Sequence, residues 1–214
     1  MVSSPSVDQV RAGARPGAPV YLPDETHRRV KILVAGPLGI GKTTFIRTMS
    51  EIPTLHTDEV MTNAAATADD LSLDGLKDKR TTTVAIDFGR LTLGPGTGSQ
   101  IILYLYGTPG QRRFLPLWED IARGALGALV LVDTRRLDDS FEVMDLIEEA
   151  GLDYAVGVNN FPDSPDYDLE VVRSKLDLAP STPLVVCDAR DRTSSLESLI
   201  ALSTHLVARA GEAQ

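Results

Sequence analysis

A glycine-rich stretch at residues 36–44, GPLGIGKTT, carries the residue types that bind phosphate. Gly36 is separated by four residues from Gly41, Lys42 and Thr43, which is the spacing of a P-loop. In such a loop, glycines let the backbone N–H groups approach phosphate oxygens, and the lysine reaches the β- and γ-phosphates. The threonine hydroxyl can ligate Mg²⁺. The motif therefore predicts a site for a nucleotide.

The segments on either side of the motif are those expected for a phosphate-binding loop. The apolar run at residues 30–35 predicts a strand before the loop, and residues 44–51 predict a helix after it. A chance match in a glycine-rich turn would not require this context, whereas phosphate binding at a helix N-terminus does. We therefore expect the chain to bind a nucleotide between this strand and this helix.

Composition narrows the class of protein. A chain of 214 residues that is 43% hydrophobic is long enough for one α/β domain. Its formal net charge of −9 argues against sequence-independent nucleic-acid binding, which needs a basic surface. The single cysteine, Cys187, excludes an internal disulfide framework and favours the cytoplasm. No apolar run reaches the ~18–20 residues of a membrane span. We expect no direct membrane insertion, and membrane association only through partners.

Two regions of the chain differ in composition. Residues 1–27 are rich in Ser, Pro, Gly, Ala and Arg without a periodic apolar pattern, which predicts a flexible N-terminal arm. Residues 28–210 are predicted to form the nucleotide-binding domain. Within them, residues 52–80 are polar and Ala-rich and lack a sustained strand period, so we expect a long functional connection. A short helix at 64–76 is the one candidate element there.

The remaining segments alternate between strand and helix patterns. This alternation implies parallel strands with right-handed crossovers and helices on both faces of the sheet. The segments 84–93 and 101–106 flank a glycine-rich turn and predict an antiparallel hairpin. We expect a P-loop NTPase fold: a three-layer αβα sandwich whose mostly parallel six-stranded sheet has one antiparallel edge hairpin. Ligands should lie at the carboxyl ends of its strands. The predicted strands are 30–35, 84–93, 101–106, 128–133, 154–159 and 184–187, and the predicted helices are 44–51, 112–123, 140–150, 169–176 and 196–208.

Four further segments follow the P-loop in a characteristic order. They are TTTVAIDFG at 81–89, GTPGQRRF at 107–114, VNNFPD at 158–163 and CDAR at 187–190. The ordered set, over residues 28–208, resembles the motifs of Ras-like small GTPases. Within that superfamily the chain is most similar to the bacterial conservon GTP-binding proteins (CvnD-like), which are related to the MglA-like GTPases. A P-loop alone is shared by many NTPases, so the order of the motifs carries the resemblance.

The resemblance implies roles for individual residues, with GTP or GDP and Mg²⁺ as cofactors. Lys42, Thr83 and Gln111 would be catalytic: Thr83 closes on the γ-phosphate and Gln111 orients the attacking water. Thr43 and Thr83 would ligate Mg²⁺. The phosphates would be held by Gly36, Leu38, Gly39, Ile40, Gly41, Lys42, Thr43, Thr44 and Gly110. The base would be held by Asn159, Asn160, Asp163, Asp188, Ala189 and Arg190.

Alternatives stay open at two of these positions. Thr81 or Thr82, instead of Thr83, could be the threonine that closes on the γ-phosphate and ligates Mg²⁺. Either Asn159 or Asn160 could be the asparagine of the base-reading NKxD motif, with Asp163 as its carboxylate.

Two departures from the family pattern bear on catalysis. Gly107 stands where the motif Asp-x-x-Gly has its aspartate, which puts Mg²⁺ coordination in doubt. Leu38 stands where Ras-like proteins prefer glycine, and its branched side chain can obstruct an arginine finger or the attacking water. We therefore expect slow hydrolysis.

Three functions are compatible with these residues. The first is a GTP-dependent switch in signal transduction, whose loops around Thr83 and Gly110 respond to the triphosphate. The second is a degenerate nucleotide-binding module with negligible hydrolysis. The third is a P-loop nucleotide or metabolite kinase, for which the Arg135–Arg136 pair is the only sign of a basic lid.

The resemblance also implies partners. They would be a roadblock-type regulatory protein and, through it, a membrane sensor kinase complex. Leu115 or Trp118, in the predicted helix 112–123, is expected to face such a partner.

Overall fold

The computed structural model describes residues 28–61, 82–94, 100–110 and 118–212. The predicted arm at 1–27, the candidate helix at 64–76 and Gln111 lie outside the described residues, as does Leu115.

The described strands form one seven-stranded sheet in the order β2-β3-β4-β1-β5-β6-β7. Strand β3 pairs antiparallel with both β2 and β4, while β4, β1, β5, β6 and β7 pair in parallel. The αβα fold, the mostly parallel sheet and the antiparallel hairpin are thus confirmed. The strands are β1 (Arg28–Ala35), β2 (Leu55–Met61), β3 (Thr82–Leu93), β4 (Ile101–Gly107), β5 (Ala125–Val132), β6 (Tyr154–Asn159) and β7 (Leu184–Cys187).

All six predicted strands are present, and β2 is an additional one. It lies within residues 52–80, where the sequence pattern predicts no strand, so that part of the prediction is wrong. The segment LHTDEVM is polar at most positions, as edge strands often are. Its pairing with β3, from Leu55 opposite Phe88 to Met61 opposite Thr82, is a backbone interaction that needs no continuous apolar face.

Within the described ranges, five α-helices pack on the two faces of the sheet. Helix α1 starts directly after Gly41, and α5 extends by several residues at each end beyond the predicted 196–208. A 3₁₀ turn at Leu137–Ser140 leads into the third helix. The helices are α1 (Lys42–Met49), α2 (Trp118–Ala122), α3 (Phe141–Glu149), α4 (Leu169–Lys175) and α5 (Arg192–Glu212).

Two hydrophobic clusters form the core, one on each face of the sheet. Strands β1, β5 and β6 are buried on both sides, which explains why their sequences are nearly continuous apolar runs. One cluster joins them to Phe45 of α1 and Leu202 of α5. The other joins them to α2, α3 and α4 and includes Trp118, Met144 and Ile147.

Trp118 is only 5% exposed within the second cluster. The expectation that it could face a partner is therefore corrected: the indole packs in the core, because α2 lies with this side against the sheet. Among the described residues, no helix has the length and hydropathy required to cross a membrane.

The parallel strands end together at one edge of the sheet. Gly36 follows β1, Asp133 follows β5, Asn159 ends β6 and Asp188 follows β7. Segments far apart in sequence therefore meet at this edge, as expected for the ligand side of such a sheet.

Candidate nucleotide-binding site

Three glycines give the loop after β1 its shape. Gly36, Gly39 and Gly41 have φ angles of 139°, 75° and 103°, in the region that favours glycine. A Cβ on Gly36 would lie 2.5 Å from the Leu131 carbonyl oxygen, and one on Gly41 would lie 2.7 Å from Asn159 Nδ2. Neither position has room for a side chain, so the loop depends on glycine there.

Ile40 anchors the same loop in the core. Its side chain is fully buried in the cluster with Phe45 and Leu129. The contribution of Ile40 to the site is therefore made by its backbone.

Lys42, the first residue of α1, points back into the loop. Its Nζ donates to the carbonyl oxygens of Gly36 at 2.7 Å and Pro37 at 2.8 Å. Burial lowers the pKa of Lys42 to about 8; the charge of Asp87 opposes this shift, and that of Arg136 adds to it. A phosphate in the loop would add a second anionic group beside this ammonium and favour its charged form.

Gly110, in the segment after β4, lies against the P-loop. A Cβ on Gly110 would lie 2.7 Å from the Leu38 N and 2.8 Å from Lys42 Nζ. This places the Gly110 backbone beside the lysine, where the family resemblance expects it to meet the γ-phosphate. A larger residue at this position would collide with the loop.

The Thr43 hydroxyl donates to the carboxylate of Asp87 on β3. Asp87 is only 8% exposed and lies directly opposite Gly107 of β4 in the strand register. A Cβ on Gly107 would lie 3.0 Å from the Cβ of Asp87 and 3.0 Å from Ile46 Cδ1. Gly107 therefore leaves space for the neighbouring carboxylate.

This arrangement changes the interpretation of the missing aspartate. The sequence correctly indicates that Gly107 offers no carboxylate, but Asp87 brings one to Thr43 from the adjacent strand. Sequence reasoning missed Asp87. The available signal was a single acidic residue in the otherwise apolar run at residues 84–88.

A cavity of about 360 Å³ lies between these groups. The Thr108 hydroxyl is buried in its wall and has no hydrogen-bond partner among the described residues. Because a buried hydroxyl without a partner costs free energy, it favours a polar ligand here. The lining residues are Leu38, Gly39, Ile40, Gly41, Lys42, Thr43, Thr44, Asp87, Thr108, Pro109 and Gly110.

Asn159 joins three segments at the end of β6. Its side chain is buried; Nδ2 donates to the Ile40 carbonyl at 2.8 Å, and Oδ1 accepts from the Ala189 N–H at 3.0 Å. Asn160 is exposed, and its backbone N–H donates to the Cys187 carbonyl at 2.7 Å. Of the two candidates, Asn159 is the one whose side chain reaches the P-loop.

The predicted base-reading residues are only partly brought together. Counted from Asn159, the aspartate position of an NKxD motif is Pro162, and the exposed Asp163 lies one residue beyond it. The Arg190 guanidinium donates to Asp188 at 2.8 Å, and its hydrogen bonds and charge lower the pKa of that carboxyl despite partial burial. The backbone N–H of Arg190 also donates to Asp188, at 2.9 Å.

Two further predicted residues can be located, and one cannot. Thr83 belongs to β3, opposite Val60, rather than to a loop over the cavity. Gln111 is outside the described residues. Leu38 is 59% exposed and lines the cavity, consistent with a side chain that could restrict access.

A buried carboxylate after β5 is a further feature that the sequence pattern did not single out. Asp133 is fully buried and binds the guanidinium of Arg135, with a shortest distance of 2.7 Å. Burial opposes ionisation of Asp133, but its hydrogen bonds to Arg135 and the two neighbouring arginine charges outweigh this and lower its pKa. Arg135 lies over the ring of Phe161 at 4.5 Å, and Arg136 donates to the Leu38 carbonyl at 2.8 Å.

Comparison with known proteins gives matches of three kinds. Residues 34–164 match a family model described as "Conserved hypothetical ATP binding protein". The "Uncharacterized protein MJ1339" of Methanocaldococcus jannaschii is 27% identical over 132 residues, which cover 61% of this chain and 69% of that protein. The FeoB G-domain from Methanococcus jannaschii is a structural match with a TM-score of 0.53 and 12% identity, covering 84% of this chain and 98% of that one. At this identity the structural match shows the fold alone.

Proposed function

The chain belongs to the family of conserved hypothetical ATP binding proteins, and from this premise we propose that its P-loop domain is a GTP-binding molecular switch with slow GTP hydrolysis. The observation that carries the proposal is the cradle formed by three glycines with positive φ, Lys42 and the Thr43–Asp87 pair around one cavity. These groups supply backbone donors, a cation and a metal-binding oxygen pair for a polyphosphate.

The donor set also fits Mg²⁺. This ion is typically bound through one or two carboxylates together with phosphate oxygens and water. The Thr43 hydroxyl and the buried Asp87 carboxylate lie together at the cavity, and the Thr108 hydroxyl, which no described group binds, is also in its wall. We assign Thr43 and Asp87 as the residues that would hold Mg²⁺, which would neutralise phosphate charge.

Guanine specificity is the finer part of the proposal. It is supported by the order of motifs and by Asn159, which links the P-loop to the loop after β7. The displacement of Asp163 from the expected carboxylate position predicts weaker discrimination against adenine than an intact NKxD motif would give.

Slow hydrolysis follows from the residues around the cavity. Leu38 is exposed at its wall, and without an arginine finger, intrinsic turnover of Ras-type enzymes is only of order 10⁻⁴ s⁻¹. Thr83 and Gln111 are proposed to complete the site in the triphosphate state. A nucleotide-binding module with negligible turnover is the second candidate, and the same Leu38 side chain favours it.

Signalling through a roadblock-type regulatory protein, linked to a membrane sensor kinase, is proposed from the resemblance to conservon GTP-binding proteins. With Trp118 in the core, the loops around Gly110 and Leu38 are the surface through which the nucleotide state would reach such a partner.

A thermal-shift and titration panel tests the proposed function. GTP and GDP with Mg²⁺, at about 100 times Kd, should stabilise the protein by about 2.7 kcal/mol. That corresponds to a rise of roughly 5–10 °C in Tm. ATP should give a smaller rise, and Lys42→Met should abolish the effect. Lys31→Met, a matched change in β1, should behave as the unmodified protein. Equal stabilisation by ATP would contradict guanine specificity, and no stabilisation by any nucleotide would contradict the function itself.

The magnesium assignment is tested in the same panel with Asp87→Asn, which keeps the size of the side chain. The Mg²⁺ concentration needed for half-maximal GTP binding should rise about tenfold, because one charged ligand is lost. Asp120→Asn, an exposed carboxylate on α2, is the control. An unchanged Mg²⁺ requirement in Asp87→Asn would exclude this carboxylate as a ligand.

A further inference from the structure

We propose that Arg136 is a positioning residue for the phosphate cradle: it holds the Leu38 carbonyl outward and thereby turns the Gly39 N–H toward the phosphates. The inference rests on the proposed nucleotide binding and names a residue that neither the motifs nor the comparisons assign.

The contact that carries the inference spans 98 residues of sequence. Arg136 Nη2 donates to the Leu38 carbonyl oxygen at 2.8 Å. The Leu38 carbonyl and the Gly39 N–H belong to one peptide unit, which is planar, and no cis peptide bond is present among the described residues. In a trans peptide these two groups point in opposite directions. Because the carbonyl faces Arg136, the Gly39 N–H faces away from it.

Gly39 lines the cavity and has the conformational freedom that makes such a constraint useful. Its φ of 75° is in the left-handed region, where glycine can readily rotate the adjoining peptide. A reversed Leu38–Gly39 peptide would turn a carbonyl dipole toward the phosphates instead of an N–H. A fixed donor on Leu38 opposes that reversal and preorganises the loop.

Arg136 is itself held on a rigid part of the fold. Its backbone N–H donates to the Asp133 carbonyl at 3.0 Å, in the turn directly after β5. Its side chain lies 3.6 Å from the fully buried Asp133 carboxylate and 3.7 Å from Asp139. Asp133 is in turn fixed by several hydrogen bonds from Arg135. The guanidinium therefore reaches the P-loop from the end of a central strand.

The position of Arg136 also places positive charge near the phosphates. Its Nη2 lies 3.5 Å from where a Gly39 Cβ would be, and its charge contributes to the lowered pKa of Lys42. The guanidinium thus adds positive charge at the outer side of the loop that also holds Lys42.

The test compares Arg136→Gln and Arg136→Lys with the unmodified protein and with Arg123→Gln, an exposed arginine directly after α2 whose guanidinium pairs with Asp120. Titrations use GDP and guanosine, with ADP and adenosine in parallel. Arg136→Gln should weaken diphosphate binding about tenfold, the effect of one lost interaction with a charged group. Nucleoside binding should change less than twofold, which separates phosphate positioning from general destabilisation.

Arg136→Lys should fall between Arg136→Gln and the unmodified protein, because an ammonium can still donate to the Leu38 carbonyl. This variant keeps the test decisive if Arg136→Gln does not fold. Diphosphate binding by Arg136→Gln within twofold of the unmodified protein, or equal losses for diphosphate and nucleoside, would overturn the role of Arg136. Failure of the unmodified protein to bind any nucleotide would instead contradict the proposed function.

Discussion

At the scale of single residues, Lys42 shows how the site is prepared for an anion. Among the described residues, its largely buried ammonium donates hydrogen bonds to two carbonyl oxygens, at 2.7 and 2.8 Å. Burial accordingly lowers its pKa to about 8, whereas an ordinary lysine titrates near 10.5. A bound phosphate would favour the charged form again. Nucleotide binding should therefore be coupled to protonation of this residue.

This coupling predicts a pH dependence of affinity. At pH 9, one unit above the pKa of the free site, about a tenth of Lys42 is protonated, so Kd for GDP should be about tenfold higher than at pH 7. Calorimetry in buffers of different ionisation enthalpy should detect proton uptake on binding. Lys42→Arg, which stays charged over this pH range, should bind GDP without either effect, and a flat pH profile in the unmodified protein would refute the coupling.

The same pKa shift affects stability with a definite sign. Between about pH 8 and 10.5, the unfolded chain binds more protons at Lys42 than the folded protein does. The contribution of Lys42 to the free energy of unfolding therefore rises with pH across this window. The burial of this lysine costs stability at neutral pH in the free protein, a cost that a phosphate ligand offsets.

At the scale of secondary-structure elements, the end of β6 connects the loops of the site. Asn159 binds the carbonyl of Ile40 in the P-loop and the N–H of Ala189 after β7. Ile40 and Ala189 are both buried, so water cannot readily replace the amide. The three loops are thus held in one arrangement by a single side chain.

Asn159→Ala should therefore destabilise the protein and weaken nucleotide binding. Loss of the amide leaves a buried carbonyl and a buried N–H unpaired, at a cost of about 1–3 kcal/mol for each group. The neighbouring Asn160→Ala is a matched control, because an exposed side chain should change the free energy of unfolding by less than about 0.5 kcal/mol. Urea unfolding measures both. Similar losses in the two variants would argue against the bridge.

At the scale of the whole molecule, the sheet separates two hydrophobic clusters and both are needed to position the site. The cluster with Phe45 and Leu202 holds the P-loop helix α1, and the cluster with Trp118 and Ile147 supports β5 and β6 from the other face. Trp118 belongs to the second cluster, so its substitution should act on global stability.

Trp118→Ala should lower the free energy of unfolding by about 3–5 kcal/mol, as expected for a large side chain removed from a core. Trp118→Phe should cost clearly less, because most of the apolar volume is kept. Far-UV circular dichroism in urea is the suitable measurement, since Trp118 is the only tryptophan of the chain. A loss below about 1 kcal/mol in the alanine variant would show that the indole is not a core group.

Much of the fold could be predicted because its signals are local. The central parallel strands are nearly continuous apolar runs, since they are buried on both faces. All six predicted strands, including the antiparallel β3, are present. Strand β2 was missed because an edge strand of mixed polarity carries no periodic signal, and its pairing with β3 is decided by backbone contacts across the chain. The ends of the helices differ from the predicted ends by a few residues, because helix termini fray and carry a weaker sequence signal than helix interiors.

The sequence by itself determined the local part of the phosphate site, because the glycines, Lys42 and Thr43 are close neighbours in the chain and their spacing is that of a P-loop. Only the tertiary structure decided which distant groups meet it. Asp87 reaches Thr43 across 44 residues through the register of β3 on β4, and Arg136 reaches Leu38 across 98 residues because β1 and β5 are adjacent. The choice of Asn159 over Asn160 likewise depends on which side chain faces inward at the end of β6. Strand order and register depend on contacts between distant segments, so they cannot be inferred from the spacing of residues along the chain.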